Sequence, residues 1–275
     1  MFTAELPTLG ESMAYAQYYH EGNLAVPPFV RRRLEQIVAG FDRERRLNRW
    51  LDVGCGAGTL MRAARGRGWE VVGTEVAERA AAAVEADGFD VRVGELDQLD
   101  LPEAGFDVVS MVEVLEHVED IDGFLNAGAE KLRPGGVLYL TTPHARGISS
   151  RLLGASWSIV CPPEHLQLFS VAGLREVIHR TGFAVRRVRT EAVNPAELLR
   201  ALRGGDDGGS GSSRVESGYR LNESLSASRA GTAVKAVATA GLNVTRLGDT
   251  IKLVAERPDW ARPLTTPRVA GRPRA

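Results

Sequence analysis

The fold is decided by the stretch Trp50-Leu-Asp-Val-Gly-Cys-Gly-Ala-Gly58, which joins the pattern of a buried strand to three alternating glycines. Glycines in such a loop let a nucleotide-like ligand approach the backbone. The dinucleotide fingerprint would place its third glycine at position 59, where this chain has a threonine. The spacing therefore argues against a dinucleotide-dependent dehydrogenase and for another adenosine-containing cofactor.

Strand-like runs alternate with helical stretches along the chain, which is typical of parallel βαβ units. The predicted strands lie at about 49–53, 70–75, 90–93, 106–111, 137–142, 183–188 and 250–255, and the predicted helices at about 77–86, 122–132, 171–181, 195–202 and 222–241. The second strand ends on Glu75, and an acid at that place can hold both hydroxyls of a ribose. The pattern predicts an α/β fold with a doubly wound sheet.

Composition and charge narrow the functional classes. The 275 residues, 44% of them hydrophobic, are enough to bury a full core. The net charge of −1 creates no global field that would recruit nucleic acid or an anionic membrane, so a small or neutral substrate is favoured. The two cysteines, Cys55 and Cys161, indicate a reducing compartment. No signal peptide and no membrane span is recognised, and we expect a cytoplasmic protein.

Further motifs follow the glycine loop in a fixed order. They are Phe106-Asp-Val-Val109, the cluster Glu113-Val-Leu-Glu116-His117, Leu132-Arg-Pro-Gly-Gly-Val-Leu-Tyr-Leu-Thr-Thr-Pro143 and Pro163-Glu-His-Leu-Gln-Leu-Phe-Ser170. Together these motifs resemble the class I S-adenosylmethionine-dependent methyltransferases, in particular the ubiquinone-type and natural-product O-methyltransferases. The resemblance covers residues from about 48 to 188. It implies a seven-stranded Rossmann-like sheet with an antiparallel last strand, S-adenosylmethionine as cofactor, and methyl transfer.

The resemblance places the cofactor at the ends of the first four strands. Asp52 lies at the carboxyl end of the first strand, and the helix that begins near Thr59 offers free N–H groups to the methionine carboxylate. The alternative for Asp52 is a loop-organising role, and for Glu75 that of an exposed strand-end acid. The predicted cofactor residues are Asp52, Gly54, Cys55, Gly56, Gly58, Glu75, Val76, Glu95, Leu96 and Val112.

Three histidines are candidates for the base that an alcohol or phenol acceptor needs. His117 is the first choice, because it follows a strand end and a neutral imidazole is ready to accept a proton at pH 7. His165 is the second, since the neighbouring Glu164 could orient its ring. His144 is the third and stands where many relatives carry asparagine. A structural role remains the alternative for each.

A divalent metal site is a further hypothesis, although a metal is not expected. Glu113, Glu116 and His117 converge if the segment turns helical after the strand, because residues three or four apart share a helix face. Two carboxylates and an imidazole suit Mg²⁺, Mn²⁺ or Zn²⁺. The alternative is that Glu116 pairs locally while Glu113 faces the substrate.

We expect one elaborated domain built from five segments. They are an N-terminal helical cap (1–47), the cofactor-binding core (48–190), a helical insertion (191–248) with a flexible Gly/Ser/Asp loop (204–213), a final core strand (249–258) and a disordered tail (259–275). The cap, through a face of Tyr15, Tyr18 and Tyr19, and the insertion are expected to build the acceptor pocket. The predicted function is O-methylation of a small hydroxylated molecule, such as a secondary metabolite, sugar, phenol or quinone precursor. The alternatives are an RNA or protein methyltransferase and a non-catalytic cofactor-binding partner protein.

Overall fold

The computed structural model describes residues 28–202 and 229–259. The tyrosine face at 15–19, the loop at 204–213 and the tail beyond 259 lie outside the described residues. Within these two ranges no helix combines the length and the apolar character that crossing a bilayer requires.

All seven predicted strands are present. The strands are β1 (Arg49–Val53), β2 (Glu70–Glu75), β3 (Asp90–Val93), β4 (Phe106–Val112), β5 (Leu132–Pro143), β6 (Ala184–Glu191) and β7 (Thr250–Glu256). The helices are α1 (Pro28–Ala39), α2 (Thr59–Gly66), α3 (Glu78–Ala86), α4 (Ile121–Lys131), α5 (Ile148–Leu153), α6 (Val171–Arg180), α7 (Pro195–Leu202) and α8 (Arg229–Thr245), with 3-10 turns at Asp42–Glu44, Leu115–His117 and Gly154–Ser156. The helix predicted at 222–241 corresponds to α8, and its first seven residues fall outside the described part of the chain.

The strands form one sheet in the order β3-β2-β1-β4-β5-β7-β6. Strands β1 to β5 pair in parallel, and β7 runs antiparallel to both β5 and β6. The strand order reverses between β1 and β4, and open sheets of this kind bind ligands beyond the carboxyl ends of the strands at such a switch point. We call the side of the sheet where β1, β4 and β5 end the carboxyl edge. The doubly wound sheet with an antiparallel last strand is confirmed.

Both faces of the sheet are buried, which explains why β4 is an uninterrupted apolar run. Val108 packs on the face covered by α1 and α2, where Trp50 meets Phe41 edge to face at 5.4 Å between ring centroids. Val109 packs on the opposite face, against residues of α4 and α6 such as Leu174. The core therefore lies in two layers on either side of the central strands.

Asp107 fixes the amino ends of the central strands. Its fully buried carboxylate accepts hydrogen bonds from the backbone N–H groups of Arg46, Leu47 and Arg49 at 3.0, 2.9 and 3.3 Å. It also pairs with the Arg133 guanidinium at 2.6 Å. This one side chain ties the segment before β1 to β4 and β5.

Helix α1 spans the sheet from the carboxyl edge to the opposite edge. Near its start Arg33 forms an ion pair with Glu191 at the end of β6, and Glu191 also binds the Lys252 ammonium at 2.9 Å. Beyond its end Glu44 forms an ion pair with Arg186 near the start of β6. The first half of α1 therefore lies nearer the carboxyl edge than its second half does.

The insertion between β6 and β7 begins and ends at the carboxyl edge as well. The Asp249 N–H donates to the Ala192 carbonyl at 2.9 Å, so the two ends of the insertion are hydrogen-bonded to each other. The Asp249 carboxylate accepts from the N–H and hydroxyl of Ser149 at the start of α5. The Thr190 hydroxyl donates to the Leu242 carbonyl of α8 at 2.8 Å.

Candidate active site

The glycine loop occupies a conformation that suits glycine. Gly54, Gly56 and Gly58 have φ values of +65°, +50° and +68°, in the left-handed region that other residues rarely adopt. A Cβ atom on Gly54 would lie 2.6 Å from a methyl carbon of Val114, just past the end of β4. The loop is therefore packed directly against the β4 end, and a side chain at this position would collide with it.

Glu75 shapes this loop from the end of β2. The side chain is 1% exposed. Its Oε2 atom accepts the Gly56 N–H at 2.8 Å, and its Oε1 atom accepts the Val76 and Ala77 N–H groups at 2.9 and 3.0 Å. A carboxylate offers about four acceptor positions, so these three bonds leave roughly one, on Oε2. Glu75 is thus a buried loop-organising acid with capacity for a further hydroxyl.

Asp52 is directed towards β4. Its carboxyl group accepts the Ser110 hydroxyl at 2.6 Å, and Ser110 in turn accepts the Trp50 indole N–H at 2.8 Å. Burial and the charge of Glu75 raise the pKa of Asp52 to about 7, against the lowering effect of the Ser110 hydrogen bond. Burial likewise raises the pKa of the Cys55 thiol above its usual range. Neither side chain is therefore a strong anion beside the loop.

The other predicted cofactor residues differ in exposure. Val76 is 52% exposed and Val112 is half-buried. Glu95 is exposed and accepts the Gln98 amide at 2.7 Å. Leu96 is 2% exposed and packs in the core, so it presents little surface to a ring. The side chains of Val76 and Glu95 are thus accessible from solvent, whereas that of Leu96 is buried in the core.

These residues fit an adenosine cofactor that carries a carboxylate. Helix α2 begins after Gly58 with no side-chain hydrogen bond capping it, so the N–H groups of its first turn face the loop. A helix N-terminus of this kind favours an anion. The loop, the open acceptor position of Glu75 and the α2 N-terminus all lie at the switch point of the sheet.

A carboxyl pair lies where β4 ends. Glu113 adopts a φ of +54°, and such left-handed non-glycine residues concentrate at functional sites. It accepts the Thr141 hydroxyl at 2.8 Å, and its side chain is hydrogen-bonded to that of Glu116. Glu116 is buried and accepts the Thr142 hydroxyl at 3.0 Å. Burial, followed by the charge of Glu113, raises the pKa of Glu116 to about 8.

Glu113 is exposed to solvent at the carboxyl edge, although protein also packs around its carboxyl group. The surrounding protein raises the pKa of Glu113 as well. Two adjacent carboxyl groups whose pKa values are both raised tend to share a proton.

The segment 159–167 brings a second histidine to His117. The Nδ1 atom of His117 lies 2.7 Å from the Glu164 carbonyl oxygen, and that of His165 lies 2.7 Å from the Ile159 carbonyl oxygen. A carbonyl oxygen only accepts, so Nδ1 carries the proton in each ring and Nε2 carries the lone pair. The rings meet edge to face with centroids 4.7 Å apart. Burial lowers the pKa of His117, which favours the neutral form.

The predicted orienting partner of His165 was the Glu164 carboxylate. In the structure the Ile159 carbonyl takes that role, and the Glu164 main chain orients His117 instead. The reason is that the segment 159–167 packs against the 3-10 turn Leu115–His117. It is held there by the Glu116 carbonyl, which accepts the N–H groups of Leu166 and Gln167 at 2.9 and 3.3 Å.

Sequence reasoning missed two contacts of this segment. The Gln167 side-chain amide donates to the Val118 carbonyl at 2.6 Å. Just before the segment, the Ser158 N–H donates to the Glu197 carboxylate of α7 at 2.8 Å, which connects this part of the chain to the insertion. A polar residue two positions after a candidate histidine is a weak signal for the first contact, and no signal marks the second.

His144 lies apart from the histidine pair. It is buried, its Nδ1 atom is 2.9 Å from the Gly248 carbonyl oxygen, and burial lowers its pKa. Its backbone N–H donates to the Asp249 carbonyl at 2.7 Å. These contacts make His144 an anchor for the start of β7.

The predicted metal ligands are only partly brought together. Among the residues that the structure describes, the ligand atoms of Glu116, His117 and His165 all lie within 4.8 Å of one another. Glu113 contacts this group through the side chain of Glu116. His165 thus joins the cluster in the place that the sequence had given to Glu113.

Comparisons with known proteins agree with this site. A methyltransferase-domain family matches residues 26–188. A ubiquinone biosynthesis O-methyltransferase of Cereibacter sphaeroides is 33% identical over 170 residues, which is 52% of this chain and 69% of that protein. Others of that name align over as little as 40% of their length.

Solved structures share the fold. A SAM-dependent methyltransferase of Archaeoglobus fulgidus is 17% identical with a TM-score of 0.55, over 83% of this chain and 93% of that one. Phosphoethanolamine N-methyltransferase 2 of Haemonchus contortus, in complex with S-adenosyl-L-methionine, is 18% identical with a TM-score of 0.55, over 89% and 60%.

The family match covers more than half of the chain, and a solved SAM-dependent methyltransferase shares its fold. The predicted family and the predicted cofactor, S-adenosylmethionine, are both confirmed. The chain belongs to the methyltransferase-domain family and is a class I S-adenosylmethionine-dependent methyltransferase.

Proposed function

We propose that this enzyme methylates a hydroxyl oxygen of a small molecule, such as a phenol, a quinone precursor, a sugar or another secondary metabolite. The observation that carries the proposal is the pair of imidazoles formed by His117, in the turn that follows β4, and His165; Val114 in the same stretch of chain packs against Gly54 of the glycine loop. A hydroxyl acceptor has to lose a proton during the reaction, and a neutral histidine is suited to take it. The O-methyltransferase names of the curated relatives support the same acceptor class.

His117 is the proposed base. Its Nδ1–H is held by the Glu164 carbonyl, so the ring is fixed with the lone pair on Nε2. His165 packs against this ring and is the second candidate. S-adenosylmethionine supplies an electrophilic methyl group when bound, and the protein aligns the acceptor oxygen with it. This route needs no metal ion.

The cofactor is proposed to lie against the glycine loop, with Glu75 accepting one ribose hydroxyl through its remaining position on Oε2. The α2 N-terminus suits the methionine carboxylate. The N-terminal cap (1–47) and the insertion (191–248) are proposed to build the acceptor pocket. Their support is that the insertion begins and ends at the carboxyl edge and that Arg33, which belongs to the cap, pairs with Glu191 at that edge.

The test is transfer of an isotope-labelled methyl group to a panel of phenols, catechols, sugars, RNA and protein. We expect transfer to at least one small hydroxylated molecule. We expect His117→Gln to lower kcat by about 10²- to 10⁴-fold while the affinity for S-adenosylhomocysteine stays within about twofold of wild type. The exposed His179 provides the matched control, His179→Gln, which should retain full activity.

A role as base has a signature that a structural role lacks. A nitro-substituted phenol that is already ionised at the assay pH needs no base, so the deficit of His117→Gln should shrink with that acceptor. An equal deficit with both kinds of phenol would rule out His117 as the base. Methylation of RNA or protein alone, or cofactor binding without any transfer, would overturn the proposed acceptor class.

A further inference from the structure

Basic side chains lie together on one face of the sheet, at the end formed by β5, β7 and β6. Lys252 of β7 lies opposite both Thr141 of β5 and Arg189 of β6. Arg187 of β6 lies opposite Val254 of β7, and Val254 packs on the face that α1 covers. Residues that lie opposite each other on paired strands share a face, and alternate residues of a strand do so as well. Lys252, Arg187 and Arg189 therefore project from the α1 face.

Arg33 of α1 completes this group, which we call the cationic patch: Arg33, Arg187, Arg189 and Lys252. The Arg33 guanidinium pairs with Glu191 at the end of β6, and the Lys252 ammonium binds the same carboxylate at 2.9 Å. Within the described part of the chain, Arg187 and Arg189 are exposed and form no ion pair. The patch thus has an excess of positive charge, which the net charge of −1 for the whole chain conceals.

The pKa values indicate that Glu191 does not balance this charge. Burial alone would raise the pKa of Glu191, but its cationic neighbours hold it below its usual value. Burial and the charge of Arg33 lower the pKa of Lys252, although the Glu191 carboxylate acts in the opposite direction. A further anion beside Lys252 would favour its charged form, because an opposite charge at close range stabilises an ammonium group.

Tyr139 of β5 adds a hydroxyl to the same face. The side chain is 5% exposed, and its ring packs edge to face on Phe41 with centroids 5.5 Å apart. The hydroxyl has no hydrogen-bond partner among the residues that the structure describes, yet its oxygen is not sealed from solvent. Burial raises the pKa of this phenol, and the nearby Arg33 and Arg187 guanidinium groups act against that rise. Tyr139 can therefore donate a hydrogen bond to an anion that lies among these cations.

The cationic patch is continuous with the proposed reaction centre. Thr141, which lies opposite Lys252, donates its hydroxyl to Glu113 at 2.8 Å. The Glu113 side chain is hydrogen-bonded to that of Glu116, which precedes His117 in the chain. A molecule whose hydroxyl lies at His117 can therefore extend along the carboxyl edge to Lys252.

We propose that the cationic patch binds an anionic substituent of the acceptor, a carboxylate or a phosphate, while the acceptor hydroxyl lies at His117. This inference rests on the proposed function and narrows its acceptor class to acidic hydroxylated molecules. Guanidinium and ammonium groups bind both kinds of anion through charge-assisted hydrogen bonds. Arg189 and Lys252 are the expected specificity-determining residues, because they lie in one row with Thr141 across the three strands.

The test is equilibrium binding to the enzyme loaded with S-adenosylhomocysteine, measured by calorimetry, which requires no turnover. The probes are catechols of similar length that end in a carboxylate, in a phosphate monoester or in a neutral primary amide. Wild type is expected to bind at least one charged probe about 10- to 100-fold more tightly than the amide, and the tighter of the two identifies the anion. Arg189→Gln is expected to reduce that preference about tenfold, and Lys252→Gln by at least as much.

Arg175→Gln is the matched control, because Arg175 is exposed on α6, on the opposite side of the sheet, and this variant should keep the wild-type preference. Binding of S-adenosylhomocysteine by each variant verifies that it is folded. Equal affinities of wild type for the amide and both charged probes, or no binding of any probe, would overturn the proposal. A preference that survives in Arg189→Gln or in Lys252→Gln would do the same. Charged probes that bind with the expected preference but are never methylated would instead overturn the proposed function, because methyl transfer is measured separately.

Discussion

Glu75→Gln tests the link between the glycine loop and the cofactor. The carboxylate accepts three backbone N–H groups, one on Oε2 and two on Oε1. An amide can replace only one oxygen as an acceptor, so its NH₂ group must face at least one of these donors. Hydrogen bonds to a charged group contribute about 1.5 to 3 kcal/mol, against about 0.5 to 1.5 kcal/mol for neutral ones.

The expected loss in the free energy of unfolding is about 3.5 to 6 kcal/mol, from one lost bond and two weakened ones. The affinity for S-adenosylhomocysteine is expected to fall about 10- to 100-fold, which corresponds to about 1.4 to 2.7 kcal/mol. Two effects contribute to this fall in affinity. The Gly56 N–H is displaced, and the glutamine side chain is a weaker acceptor for the ribose hydroxyl than the carboxylate.

Isothermal titration calorimetry measures the affinity, and thermal unfolding measures the stability. Glu85→Gln is the matched control, because Glu85 is exposed at the far end of α3 and the substitution removes the same charge. An affinity of Glu75→Gln within about twofold of wild type would refute the reasoning, since the ribose would then have to be held without Glu75.

Three further predictions concern the loop, the amino edge and pH. Gly54→Ala is expected to abolish measurable cofactor binding, because φ is +65° and the new Cβ would lie 2.6 Å from Val114. Gly66→Ala is the control and should bind the cofactor normally, because the space at its Cβ position is open. Equal calorimetric affinities of Gly54→Ala and Gly66→Ala would contradict the close packing of Gly54 against Val114. Asp107→Asn is expected to lower the free energy of unfolding in urea by about 2 to 4 kcal/mol, because it breaks a buried ion pair, and an unchanged midpoint would count against this role. Asp52, whose pKa rises from 3.8 to about 7, keeps its proton in the folded state over a range where the unfolded state loses it. Stability therefore falls as pH rises from about 4 to 7, by up to about 4 kcal/mol from this group, and Asp52→Asn should remove that part of the slope. A difference between wild type and Asp52→Asn that stays constant with pH would show that the carboxyl group titrates normally.

The strands of the fold were predictable because their signal is local. Strands β1, β2 and β3 begin and end at the predicted residues, since each contains valines or other strand-favouring residues within a short segment. Strand β5 was predicted to start at about residue 137, but it starts at Leu132. Gly135 lies within the strand with a φ of +68°, and the pairing of β5 with β4 shifts register between Phe106 and Val108.

Helix α5 was not predicted. Its six residues, Ile148–Leu153, lie between Gly147 and Gly154 and are too few to show helical periodicity. Its position depends on the Asp249 carboxylate, which is 100 residues away in the sequence.

The candidate site was predictable from the sequence only at positions where its function requires a particular residue type. The glycine loop and Glu75 stand out because few residue types can take their places. The orientation of His117 and His165 depends on the carbonyls of Glu164 and Ile159. Every residue has a carbonyl, so no sequence pattern distinguishes these two.

The hydrogen bond between Ala192 and Asp249 makes the segment between them a closed module. Its ends are already joined, so a change in its length leaves the core pairing intact and costs only about 0.6 kcal/mol for each doubling. Enzymes of this architecture can therefore diversify by exchange of this one segment. A chimera that carries the corresponding segment of a relative between these two residues should acquire the acceptor preference of that relative. Its affinity for the cofactor should remain that of the present chain.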